Sequence, residues 1–371
     1  MKKRISAILI SALLILAMLA LQGCELFCEH TYGEWVTELE PTCSEEGRRG
    51  RKCTECDKVD YEAIPPTGDH HSSKWVTDKE VTCEADGEKH KVCDDCGAIF
   101  DRMTVEKAHR FENDACLHCG ISVDMIFTFT YSDYKDTYSI AENEDTTTPS
   151  AVILPSTYKG KRIDSVDYLG FSSNTAIKSV TIPEGYSTIG ERAFYGCSNL
   201  SYLEMPDSIT DIGSGAFINC GSIKGIRLSE SLKEISSGMF ESCGALESIR
   251  LPESITYIRL MAFKNCTSLK EIVIPDNVVY IGGEAFRNCS SLKSAVIGKK
   301  VNEIGRWAFN SGYALQSVVF KKCDGWSLRA YKVTNNEPVS LPLNHQDLEN
   351  DFRAAMLLKQ DYKDYVWERR Y

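Results

Sequence analysis

At 371 residues, 43% of them hydrophobic, the chain is long enough to bury a large core, and length alone suggests about two to three domains. Its charge is acidic, 42 basic against 53 acidic side chains for a net of -11. That balance excludes general binding to nucleic acid or to an anionic membrane surface, which need clustered Lys and Arg.

Residues 1–23 read as a targeting segment. Basic Lys2, Lys3 and Arg4 precede an apolar run from Ile5 to about Leu21, and a small residue precedes a cysteine. Leu21-Gln22-Gly23-Cys24 resembles a bacterial lipobox, although Gln22 stands where a small residue is usual. The resemblance implies acylation of the Cys24 thiol, cleavage of the bond before it, and a body held outside the cytoplasm by a membrane lipid anchor. Residues 24–29 then form an anchor and linker.

Residues 30–120 hold two and a half cysteine and histidine modules. The first runs His30, Trp35, Cys43, Gly47, Cys53-x-x-Cys56, and the second His71, Trp75, Cys83, Gly87, Cys93-x-x-Cys96. The stretches from Trp35 to Cys56 and from Trp75 to Cys96 align without a gap, and a shortened third unit follows as His109, Cys116-x-x-Cys119. A Cys-x-x-Cys turn presents two thiolates to one metal ion, and a further Cys and a His complete the tetrahedron that zinc prefers. Modules of about 40 residues bury too little core to stand alone, so a metal or disulfide staple is expected. Structural zinc is the reading adopted, with small β-rich, zinc-ribbon-like modules; disulfides are the alternative for an oxidising compartment. Taking the preceding histidine groups His30 with Cys43, Cys53 and Cys56, and His70 or His71 with Cys83, Cys93 and Cys96. His109, Cys116 and Cys119 are then left without a fourth ligand. The alternative uses the following histidine in each case, His70 and His109.

Residues 121–151 contain an alternating stretch from Met125 that reads as cap strands. From 152 to 325 one spacing dominates. Phe194, Phe217, Phe240, Phe263, Phe286 and Phe309 recur with a 23-residue period, and Cys197, Cys220, Cys243, Cys266 and Cys289 follow the first five at a constant offset. Between them run L-x-x-L-x-L strands such as Leu246, Ile249, Leu251 and Leu269, Ile272, Ile274. One such unit cannot bury its apolar face, so the units stack into a leucine-rich repeat solenoid with a parallel β-sheet on one face and short helical or irregular corners. The cysteines read as small buried residues beside a turn. In residues 326–371 a helical pattern with Asn344 as N-cap places Leu348, Phe352, Ala355, Met356, Tyr362, Tyr365 and Val366 on one face, after His345, as a C-terminal capping helix.

The stretch IPEGYSTIGERAFYGCSNLSYLEM resembles the BspA-type leucine-rich repeat of bacterial surface proteins, and a degenerate first repeat, VILPSTYKGKRIDSV, extends the resemblance back to Val152. It implies surface display and adhesion to a protein partner on a host or neighbouring cell. Six of the seven histidines lie in the modules and no nucleotide or metalloprotease motif occurs, so no enzyme is expected. The outward residues of the strands give a candidate binding column, Thr181, Glu204, Arg227, Arg250, Val273, Val296 and Val319, of which Arg227, Arg250, Val273, Val296 and Val319 are the proposed contact. Glu204 is the expected counter-charge for Arg227, and Glu271 the nearest for Arg250. The alternative function is a cell-envelope spacer without a dedicated ligand.

Overall fold

The computed structural model describes residues 31–39, 41–55, 58–66, 73–94, 96–310, 314–322, 326–331, 338–342, 348, 351–358 and 366–369. The chain divides into two compact units: residues 1–70 with the turn Cys93–Ala98, and residues 71–92 with 99–371. The division runs through the cysteine modules rather than after them.

In the first unit β1 (Val36–Leu39), β2 (Gly47–Lys52) and β3 (Val59–Ile64) form an antiparallel sheet in that order. A Cβ on Gly47 would lie 2.5 Å from the Leu39 carbonyl oxygen and the Pro41 nitrogen, so only glycine lets β1 and β2 approach there. Trp35 takes the place of a core: the Arg49 and Arg51 guanidinium groups lie 4.9 and 4.5 Å from its ring centre.

The second unit repeats this sheet as β4 (Ser73–Lys79), β5 (Gly87–Cys93) and β6 (Ile99–Val105), again antiparallel and in order, with Gly87 in the place of Gly47. A short hairpin follows, β7 (Phe111–Glu112) with β8 (Ala115–Cys116). Alternation from Met125 gives β9 (Phe127–Ser132) and β10 (Thr137–Glu142), an antiparallel hairpin whose second strand pairs parallel with Lys161–Val166 and so covers the first coil.

The solenoid is built on two ladders. On the first face β11 (Ala151–Ile153), Ser179–Thr181 and Tyr202–Glu204 pair in parallel, as do Glu271–Val273, Ser294–Ile297 and Ser317–Phe320. Between these groups the pairing narrows to the single parallel bridge Arg227 to Arg250, beside Gly225, which offers no side chain to the pleat. The second face carries very short strands, among them Thr188–Ile189, Asp211–Ile212, Tyr257–Ile258 and Glu303–Ile304, also parallel. The corners are turns, without helix in the described repeats.

Stacked rings fill the interior. Consecutive phenylalanines from Phe171 to Phe309 lie 5.0 to 5.7 Å apart with planes within 17° of parallel, all of them inaccessible to solvent. Phe171 is a further member of the column, one period before Phe194. Each cysteine thiol donates to the carbonyl oxygen of the phenylalanine one coil back, as Cys266 Sγ to Phe240 O at 3.1 Å. The cysteine column is inaccessible to solvent, and burial pushes the Cys243 and Cys289 thiols up to about 12, in keeping with a packing role.

The C-terminal end departs from the expected helix. Among the described residues Leu348 and Asp351–Met356 are α-helical, and Val366 belongs instead to the strand Val366–Arg369. That strand pairs antiparallel with Glu303–Ile304 and with Trp326–Tyr331, and Trp367 packs between Phe320 and Trp326. The physical reason is the open edge of the last coil, which a strand satisfies with backbone hydrogen bonds and a helix does not. Asn344, His345, Tyr362 and Tyr365 lie outside the described residues.

Candidate functional site

Two features of the described chain carry chemistry: the thiol clusters of the modules and the exposed strip of the first ladder.

The clusters begin with local turns. Three times the N–H of the first cysteine of a Cys-x-x-Cys pair donates to a carbonyl just beyond the second: Cys53 to Lys58 at 2.9 Å, Cys93 to Ala98 at 3.0 Å and Cys116 to Ile121 at 2.9 Å. Gly97 and Gly120 complete two of these turns with φ of 72° and 70°, a region open to glycine at little cost. The remaining cysteines sit in a second repeated turn. Thr42 Oγ1 accepts from the Glu45 N–H, and Thr82 Oγ1 from the Ala85 N–H, both at 2.9 Å, which holds Cys43 and Cys83 in equivalent positions.

The structure joins these pieces differently from the within-module grouping. Cys83, His109, Cys116 and Cys119 bring their ligand atoms within 4.8 Å of one another, and Cys43, Cys93 and Cys96 do the same. Cys83 therefore meets the thiols of the third unit, not Cys93 and Cys96, and Cys43 meets Cys93 and Cys96, not Cys53. Beside the shortened third unit, which lacked a fourth candidate ligand in the sequence, stands Cys83. His109 lies beside Cys83, with Cys116 and Cys119 rather than with Cys93 and Cys96. Cys53 joins neither cluster among the described residues, while Cys24, His30, Cys56, His70 and His71 lie outside them. His118, not singled out from the sequence, reaches Glu84 at 3.2 Å.

Within the four-residue cluster Cys116 Sγ is 3.9 Å from Cys83 Sγ, and Cys119 Sγ is 3.4 Å from His109 Nδ1. The thiols are unlike one another. Burial and hydrogen bonding to Cys119 and Cys116 push Cys83 up to about 11. Burial acts in the same direction on Cys116, but the backbone N–H groups of Cys119 and His118 and the His109 side chain outweigh it and bring that thiol down to about 6. Three sulfurs and one imidazole nitrogen are a donor set suited to zinc, and they leave no open position for catalysis.

The binding column is divided. At its N-terminal end the second module covers it: Trp75 meets Tyr202 edge-on at 5.4 Å, and Lys89 Nζ donates to Glu204 Oε2 at 2.5 Å. Tyr202 is 6% exposed as a result. Glu106 secures the same module to Lys178 at 2.5 Å and accepts from Ser150; the Lys178 ammonium and the Ser150 hydroxyl hold its carboxyl below the usual range. Glu204 is thus turned to Lys89. Arg227 pairs with Asp207 at 2.9 Å, and Arg250 with Glu230 rather than Glu271. Each acid stands on the turn that leaves the preceding strand, at the same offset from its arginine, so the repeat itself contained the signal. Beyond the arginines, Val273 is 54% and Val319 38% exposed, with Val296 half-buried between them.

Residues 164–282 and 258–359 match the family model of the BspA type leucine rich repeat region, in six copies. Among solved structures the chain is similar to a leucine rich repeat protein of T. pallidum, at 30% identity over 51% of this chain and 88% of that one, with a TM-score of 0.48. It is also similar to a leucine rich cell surface protein of Faecalibacterium prausnitzii, at 20% identity over 58% of this chain and 59% of that one, with a TM-score of 0.38. A comparison with curated proteins gives no match.

Proposed function

Because the chain belongs to the BspA-type leucine-rich repeat family, we propose that it is an extracytoplasmic protein, lipid-anchored through Cys24, that binds a protein partner on a host or neighbouring cell surface and catalyses no reaction. The supporting observation is the strip from Arg227 to Val319. It is a row of side chains on successive coils, charged at the end of the Arg227–Arg250 bridge and apolar along the parallel ladder from Val273 to Val319, with two valines left to solvent on a face whose first coils are already occupied by the second module. Arginine is enriched at interface hot spots, and the exposed valines offer apolar surface beside it. Structural zinc in the modules belongs to the same reading, as the staple that small β-sheets of this size require.

The double substitution Arg250→Glu with Val296→Asp is expected to weaken capture of the partner, identified with the mature ectodomain as bait, by about tenfold or more. Unchanged affinity in a folded variant would move the interaction off this face. For the anchor, metabolic labelling with a fatty-acid analogue tags the wild type, and Cys24→Ala releases an untagged protein; label that survives the substitution contradicts the lipid reading.

A second reading, a spacer holding the envelope apart without a ligand, is favoured by one observation. Arg227 and Arg250 already have acidic partners on their own face, so neither needs a partner protein to answer its charge. The two readings separate on saturable binding, which a spacer lacks.

A further inference from the structure

We propose that the metal is bound between sequence modules rather than within them. One tetrahedral zinc ion is held by Cys83 of the second module together with His109, Cys116 and Cys119 of the third, and Cys43 of the first module shares an earlier site with Cys93 and Cys96 of the second. This rests on the reading that the modules hold metal and goes beyond it in saying which parts of the chain each ion joins.

The geometry carries the pairing. A zinc-to-sulfur distance of about 2.3 Å in a tetrahedron separates neighbouring sulfurs by about 3.8 Å. The Cys83 and Cys116 sulfurs lie 3.9 Å apart, and in the other cluster Cys43 and Cys93 lie 3.5 Å apart. Two sites with the same plan argue against coincidence: in each, a thiol on a threonine-closed turn meets both thiols of a Cys-x-x-Cys turn that belongs to the next module. A disulfide would satisfy two sulfurs of the four-residue set and leave the third sulfur and the imidazole without a role. Soft thiolates with one imidazole select zinc over the hard cations magnesium and calcium.

The position of the second ion has a structural consequence. The β7–β8 hairpin that supplies Cys116 is fastened to the start of the solenoid: the Val123 N–H donates to Asp114 O at 2.9 Å, and the Asp114 carboxylate accepts from the Lys159 N–H at 3.0 Å. Cys83 lies on the turn between β4 and β5, the strands that carry Trp75 and Lys89. The ion therefore ties the sheet β4–β6 to the solenoid through a hairpin already bonded to it, and sets that sheet over Tyr202 and Glu204.

Residue-resolved thiol alkylation of the zinc-loaded mature chain, read by mass spectrometry, tests the pairing. Cys83→Ser is expected to speed labelling of Cys116 and Cys119 by about tenfold or more, since even losses outside the ligand shell weaken metal binding about 10- to 100-fold. Cys93 and Cys96 stay protected in that variant, and Cys43→Ser gives the reverse pattern. Buried Cys220, Cys243 and Cys266 report folding of the solenoid in the same measurement. Should Cys83→Ser expose them, the reciprocal Cys119→Ser decides, with Cys83 labelled and Cys93 protected. Exposure of Cys93 and Cys96 by Cys83→Ser would overturn the pairing and restore the within-module grouping. A wild-type chain that binds no zinc on elemental analysis, and whose thiols react equally with and without it, would overturn the metal reading itself.

Discussion

Replacing Phe263 by alanine lowers the stability of the chain by about 3 to 5 kcal/mol, the range for a buried aromatic reduced to a methyl group. The ring is inaccessible and lies between two others, 5.4 Å from Phe240 and 5.2 Å from Phe286. Its backbone is equally engaged, with the N–H donating to Ala285 O at 2.8 Å and the carbonyl accepting from the Cys289 thiol at 3.1 Å. Those bonds hold the coils at their spacing, so neighbouring rings cannot close the gap and a cavity remains. In a solenoid each coil touches only its neighbours, and the damage is therefore borne by two interfaces. Denaturant unfolding followed by circular dichroism measures the loss. A change below about 1 kcal/mol would show that the column tolerates a missing ring and that the coils are held by their ladders alone.

The solenoid was legible because its signal is periodic and its side chains identical. A ring at the same place in every repeat defines a column whatever the local strand or turn propensities are. The first member, Phe171, is harder to see, because Leu169-Gly170 precedes it where most of its counterparts follow alanine. The second ladder was not legible at all: pairs such as Thr188–Ile189 and Asp211–Ile212 are too short to show alternation. At the C-terminus Leu348 and Ala355 are buried as the expected face predicts, with Ala354, Leu357 and Leu358 buried beside them, yet Val366–Arg369 is set by the edge it must pair with, which no local pattern encodes. The thiol clusters divide in the same way. Residue types and turn spacing identified the candidate thiols, whereas aligned modules show only that Cys43 and Cys83 are equivalent. Which Cys-x-x-Cys turn each one meets is a tertiary fact, since among the described residues Cys43 lies with Cys93 and Cys96 of the next module and not with Cys53 of its own. The arginine partners differ from expectation for a related reason: Glu204 is the neighbour within the column, but a module earlier in the chain supplies Lys89 to it.

Stripping metal with a strong chelator is expected to release the sheet β4–β6 and leave the solenoid folded. The difference lies in what each part buries. Among the described residues the solenoid core is continuous from the cap residues Val123 and Phe127 to Trp367, while the cluster under the second module consists of Val81, Val105, Ala108 and Ala151, with Met103 and Ile153 partly buried against it. So small a cluster does not offset the entropy of ordering three strands and two loops. In such modules metal binding is folding energy, about 10 to 16 kcal/mol in zinc-finger peptides near neutral pH. Hydrogen exchange read by mass spectrometry should show amides from Val81 to Val105 losing protection on chelation, while the coils from Val180 to Ile304 keep theirs. Trp75 should leave Tyr202 at the same time, with a red shift in its fluorescence, and the strip from Arg227 to Val319 is extended by Tyr202 and Glu204, which the module had covered. Protection that persists through β4–β6 in the metal-free chain would mean that the contacts of Lys89 with Glu204 and of Glu106 with Lys178 and Ser150 hold the sheet in place without an ion.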